Sequence, residues 1–268
     1  MRSRDPVPTH ARTTHARARE EANERLFVRL EDDVTQGPES AAPPETLTVC
    51  TVPKTLQRHV AHVLVYREHI PPGTSVLERV LPDGAVRIVF NLAEPPSAGG
   101  APGFAAGAIG ASAAPALVQL AGSLEGLSIT LAPGASRALL GVPASALEGT
   151  AVHLEELWGA EASRLLERLR RAPNDAVRSA ALESALLERL RRTDTEPCSS
   201  ARHAAALIAK SGGRIALSTV AERLGVGERR LQQLFREHLG LTPRTWGRIA
   251  RLQQCLRLLR QQRSPRWA

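Results

Sequence analysis

Residues 220–240 read VAERLGVGERRLQQLFREHLG, two short runs with apolar residues at helical spacing, broken by Gly225-Val226-Gly227. This break limits the C-terminal part of the chain more than any other feature. Leu217, Val220, Ala221 and Leu224 fall at i, i+3, i+4 and i+7, one face of an amphipathic helix predicted over 218–224. Gly225 can take the left-handed backbone that turns a chain sharply. Val226 packs into the corner, and Gly227 opens a second helix predicted over 228–239. At 100° per residue, Leu231, Leu234, Phe235 and Leu239 gather on one side of that helix. Arg229, Gln233 and Arg236 point the opposite way, with Gln232 on the flank. Two short helices joined by a tight glycine turn form a helix-turn-helix, whose second helix enters the DNA major groove. Arginine forks onto guanine O6 and N7, and glutamine pairs with adenine N6 and N7. A helix face meant only for solvent would more often carry Glu–Lys pairs four residues apart.

The flanking residues extend the pattern. Ser199 or Ser200 is expected to cap a helix running to Lys210, which Gly212-Gly213 ends. Thr242-Pro243 starts a further helix, with proline at its first position and Trp246, Ile249, Leu252, Leu256 and Leu259 as its core stripe. Charge follows the same division. From residue 199 to 268 there are fourteen Lys and Arg against three Glu, a net charge of +11 within a chain total of +8. The preceding 198 residues carry 21 basic and 24 acidic groups. A basic block on a near-neutral body is the electrostatic footprint of nucleic-acid binding, with a solvated surface or an anionic membrane as the alternatives. Nearly all of the positive charge is arginine, since lysine occurs only at Lys54 and Lys210.

The N-terminal half has another texture. Residues 1–44 are rich in Arg, Ala and Glu, with THAR occurring twice, and read as a disordered tail with a transiently helical stretch over 20–30. Residues 46–131 read as β structure. LERVLPDGAVRIVFNL contains strands over 76–81 and 85–92 joined by Pro82-Asp83-Gly84, which has turn chemistry. LSITL at 127–131 alternates as a half-buried strand should. Shorter strands are expected over 47–52, 59–66, 104–109 and 116–120. Several short strands with turn signals imply a β-sandwich or small cupin-like barrel. From Pro133 the spacing becomes helical, over 134–140, 154–158, 161–171 and 174–192. The last of these carries Val177, Ala181, Ser184, Leu187 and Leu190 as its stripe. The polar run TDTEPCSS, residues 193–200, then marks a boundary. The expected organisation is α+β: a tail (1–44), a β-rich sensor or dimerisation domain with C-terminal helices (45–193), and a helix-turn-helix domain (199–268).

At this point a resemblance is visible. SGGRIALSTVAERLGVGERRLQQLFREHLGLTPRTWGRIARLQQCLRLL (211–259) closely resembles the first helix-turn-helix and linker helix of AraC/XylS-type transcription regulators, through Ala221, Leu224-Gly225, Leu231, Phe235, Gly240, Pro243 and Leu252. LPDGAVRIVFNL, LLGVPASAL and LEELWG resemble the sensor-like domain of one AraC-type subgroup, with Ala85 and Arg87 departing from its pattern. The resemblance implies base contacts from Arg229, Gln232, Gln233 and Arg236. It implies phosphate-side contacts from Ser218, Thr219, Arg230, Arg244, Thr245 and Arg248. It also implies a bacterial, cytoplasmic, non-enzymatic regulator that is effector-responsive and dimeric, with operator DNA as partner, no cofactor and no membrane association. Such proteins carry two helix-turn-helix units, and this sequence ends at RSPRWA where the second would begin, so the expectation is of a chain truncated there.

Other chemistry is poorly supported. Cys50, Cys198 and Cys255 are far apart and odd in number, which fits a reducing cytoplasm rather than a disulfide framework or zinc site. His59 and His62 are three apart, and on a strand their rings face opposite sides. The glycines from Gly99 to Gly110 lack the Gly-Lys-Ser/Thr of a phosphate loop. Residues 95–124 are uncharged but broken by Pro102 and Pro115, so they do not read as a membrane span. A rival from another class is a cupin-like protein binding a small molecule or metal, with a remnant DNA-binding tail.

Overall fold

The computed structural model describes residues 24–28, 39–40 and 46–261. Eleven strands form among them, the central ones, such as VAHVLVYREH and RIVFN, on β-branched and aromatic residues. These are β1 (Glu24–Val28), β2 (Glu39–Ser40), β3 (Leu47–Cys50), β4 (Val60–His69), β5 (Val76–Val80), β6 (Arg87–Asn91), β7 (Ser97–Ala98), β8 (Ala106–Ile109), β9 (Ala116–Leu120), β10 (Ser123–Leu131) and β11 (Ala151–His153). They build a five-stranded sheet, β2-β1-β5-β9-β7, and a six-stranded sheet, β11-β8-β6-β10-β4-β3. The pairs are antiparallel except β1 with β5.

Three expectations for this region are corrected. The stretch read as transiently helical contains β1, because Leu26-Phe27-Val28 suit a strand and the backbone pairs along β5. Arg25 fixes it there: its guanidinium bonds Glu78 on β5 at 2.6 Å and both oxygens of Glu68 on β4 at 2.6 and 2.7 Å, joining the two sheets. The rest of residues 1–44 lies outside the described segments, apart from β2. Second, Pro82-Asp83-Gly84 does not close a hairpin, since β5 and β6 lie in different sheets. The turn carries the chain from one sheet to the other, and the Asp83 carboxylate accepts the Ala85 N–H at 3.0 Å while pairing with Arg87. Third, β10 is not half-buried. It is central in its sheet, and Leu127, Ile129, Leu131 and also Thr130 are buried.

Eight α-helices follow among the described residues. Four trail the β region: α1 (Ser136–Leu140), α2 (Leu154–Trp158), α3 (Ala160–Arg171) and α4 (Asp175–Thr193), with a 3-10 turn at Ala144–Leu147. Asn174 caps α4, accepting the Val177 N–H at 3.0 Å. The fully buried side chains of α4 are Leu182 and Leu186; Ala181, Leu187 and Leu190 of the expected stripe pack half-buried beside them, while Val177 and Ser184 are exposed. The N-terminal turn of α4 is held by ions instead. Arg67 pairs with Glu125 and Asp175, and Arg178 reaches Glu125 at 2.6 Å. Burial pushes the Glu125 carboxyl up, but Arg67 and Arg178 outweigh it and hold the pKa below the usual carboxylate value.

The last four helices are α5 (Ser199–Lys210), α6 (Leu217–Leu224), α7 (Glu228–Leu239) and α8 (Pro243–Gln261). The α5 N-cap is Cys198, without a side-chain cap, rather than Ser199 or Ser200. The Cys198 N–H instead donates to Gly134 O at 3.3 Å, tying the connection back to the β region. One buried apolar cluster runs from Ile88 and Phe90 through Leu139, Leu140 and Leu147 to Phe235, Leu239 and Trp246. The C-terminal helices are therefore packed on the rest of the chain. Gln253 on α8 donates to Pro82 O at 2.8 Å, and Arg137 on α1 meets Glu237 on α7 at 3.4 Å.

Candidate nucleic-acid interface

The corner between α6 and α7 is built as its glycines require. Gly225 caps α6 at φ 66°, in the left-handed region, and its N–H returns to Glu222 O. Val226 is half-buried, and Gly227 takes extended backbone before α7 begins. Below α7, Leu231, Leu234, Phe235 and Leu239 are buried, and the Phe235 ring meets Trp246 of α8 edge-on at 6.4 Å between centroids. On the opposite side Arg229, Arg230, Gln232, Gln233 and Arg236 are all exposed. The apolar spacing anchors one face and leaves an arginine–glutamine face outward.

Charge on this surface is unneutralised. Among the described residues, Arg229, Arg236, Arg244 and Arg248 have no carboxylate partner. Many arginines of the preceding region do: Arg25, Arg67, Arg87, Arg170, Arg178, Arg189 and Arg192 each pair with Asp or Glu. Unpaired, exposed guanidiniums on two adjoining helices suit an anionic partner.

The remaining sequence-picked residues divide by environment. Ser218 is exposed and Thr219 half-buried in the first turn of α6, a helix with no side-chain cap. Its leading N–H groups and positive dipole end suit a phosphate. Arg244 and Arg248 are exposed on the first two turns of α8. Thr245 is half-buried, and its hydroxyl lies 2.9 Å from that of Thr242, whose oxygen also accepts the Thr245 N–H at 3.1 Å. Thr245 thus belongs first to the cap of α8. Arg230 donates to Gln233 Oε1 at 3.0 Å, one turn along the same face. Arg251 is exposed but donates to Gly213 O at 2.9 Å, bracing the turn after α5 against α8. Nothing in the sequence reveals that carbonyl partner, which comes from a turn 38 residues away.

Residues 220–266 match the helix-turn-helix domain family. The C-terminal segment thus carries a helix-turn-helix domain. DNA binding and transcription regulation are the work of such a domain. In this chain the match takes in most of α6 and the whole of α7 and α8. Residues 50–153 match a domain of unknown function, DUF6597, which covers most of the β region. Among solved structures, the AraC-like transcriptional activator CuxR is similar at 14% identity, over 78% of this chain and 86% of that chain, with a TM-score of 0.28. No curated protein matches the chain. Among the described residues, no helix is long and apolar enough to cross a membrane.

Proposed function

We propose that the chain is a sequence-specific, effector-responsive transcription regulator that lays α7 in the major groove. Arg229, Gln232, Gln233 and Arg236 contact base edges, and Ser218, Thr219, Arg230, Arg244, Thr245 and Arg248 lie toward the phosphates. The supporting observation is the division of α7 itself: its apolar residues are buried, and its four base-reading candidates are exposed. Gln233 can present its carboxamide to adenine once Arg230 releases its oxygen to take a phosphate, an exchange of one charge-assisted partner for another. The β-rich region senses the effector and supports a dimer, and the protein works in the cytoplasm.

The test is a gel-shift titration with duplex DNA over a range of salt. Sequence-specific retention is expected, with log affinity falling linearly in log salt as phosphate contacts release counterions. Failure to retain any duplex at low salt, together with a tightly held metal or small molecule in the β region, would transfer the function there and leave the helical segment without a DNA role.

A further inference from the structure

The trailing helices hold a second set of uncompensated cations, away from α7. A groove of about 220 Å³ opens between α3 and α4. Trp158, Leu165 and Ala185 give it apolar walls, and Arg164, Arg168 and Arg192 stand around it. Two carboxylates also line it, but both are committed. Glu161 holds Arg189 at 3.4 Å and pairs with Arg192, and Glu188 pairs with Arg191 and Arg192. Arg189 is fixed further by donating to Leu139 O and Leu157 O while lying over the Trp158 ring at 5.4 Å.

Arg164 and Arg168 differ from their neighbours. On the same helix Arg170 and Arg171 share Glu167. Arg164 and Arg168 are exposed and have no carboxylate partner among the described residues. They are four apart, so their charges repel along one helix face, a mildly destabilising arrangement unless an anion lies between them. Guanidiniums are the side chains best shaped to grip a phosphate or carboxylate with two parallel bonds. The groove is smaller than typical drug-sized pockets, which suits a small occupant.

We propose that this groove is a binding site for a small polyanion, a phosphate ester or polycarboxylate, gripped by Arg164 and Arg168 with its carbon skeleton against Trp158 and Leu165. The site does not depend on whether α7 reads DNA.

Isothermal titration of the full chain with citrate, and separately with glycerol 3-phosphate, at constant ionic strength, tests this. Saturable one-to-one binding by at least one probe is expected. The Arg164→Gln/Arg168→Gln variant should weaken it by about tenfold or more, the loss of charge-assisted bonds. The variant's own melting temperature without anion should equal or exceed the parent's, since the like-charge pair is gone. Should the glutamine pair fail to fold, Arg164→Lys/Arg168→Lys supplies the readout, with binding weakened because charge remains and the fork is lost. Absence of binding by both probes would overturn the proposal, as would equal binding by parent and variants. Displacement of the bound probe by a random-sequence duplex would also overturn it, assigning these arginines to the DNA backbone.

Discussion

Phe235 has no exposed surface, and its ring rests edge-on against Trp246 where α7 meets α8. Phe235→Ala should cost about 3–5 kcal/mol through lost burial and the cavity left behind. A denaturant titration showing an unchanged midpoint would mean that the ring is not part of the core. Titratable residues make a second prediction. Burial lowers the pKa of His59 below its ordinary 6.5, with Glu196 opposing and Arg58 and Arg202 adding to the shift. Burial lowers His238 likewise, with Glu237 opposing and Arg137 and Arg230 adding. Near and below pH 6.5 the unfolded chain therefore binds more protons than the folded one. The stability tied to these neutral imidazoles is complete above that pH and is lost as pH falls. Unfolding midpoints should drop from pH 7.5 to pH 5.5, and His59→Asn should flatten part of that drop; a flat profile in the parent chain would contradict it. At this scale the sequence revealed the buried apolar side of α7, because helical spacing alone determines it. It did not reveal Gln253 or Asp83, both polar and buried, because their partners at Pro82 O and at Ala85 and Arg87 exist only after the chain has folded.

Elements were legible to different degrees, and the reasons are physical. The helix Glu228–Leu239 and the strand Ala116–Leu120 match the residues read for them, since turn residues bound both and neighbouring elements do not shift their limits. The face of α4 was legible in part: Ala181, Leu187 and Leu190 pack against the core as expected, but its buried centre is Leu182 and Leu186, and ion pairs from Arg67 and Arg178 hold the first turns, where Val177 is exposed. The Pro82-Asp83-Gly84 turn reads as a local feature, yet its role is tertiary. Gly84 has φ +78°, and a Cβ there would lie 2.8 Å from Trp246 Cζ3 and 3.5 Å from Ile249 Cδ1. Gly84→Ala should therefore strain the backbone by about 1–2 kcal/mol and push α8 off the turn. Hydrogen exchange should then quicken around 246–253. Unchanged exchange there would show that the turn does not hold the helix.

On the scale of the whole molecule, charge and packing divide the work. Arginines of the β region and its trailing helices are largely matched with carboxylates, whereas those on the outer faces of α7 and the start of α8 are left for an anionic partner. Arg244→Ala should weaken binding to all duplexes alike and reduce the salt slope by about 1, the signature of one lost phosphate contact. Loss confined to a single base sequence would move Arg244 to the reading face. The division of charge was visible in the sequence as a net excess after residue 199. That α7 and α8 share one continuous core with the β region was not, because contacts such as Gln253 with Pro82 span most of the chain. The most direct measurement is binding of the parent chain and Gln233→Ala to a duplex series carrying every single-base substitution across the bound site. The substitution should erase discrimination at one base pair, a loss of roughly 1–3 kcal/mol there, while leaving the other positions and the unfolding midpoint as they were. An unchanged base preference at every position would contradict the assignment of α7 to the major groove.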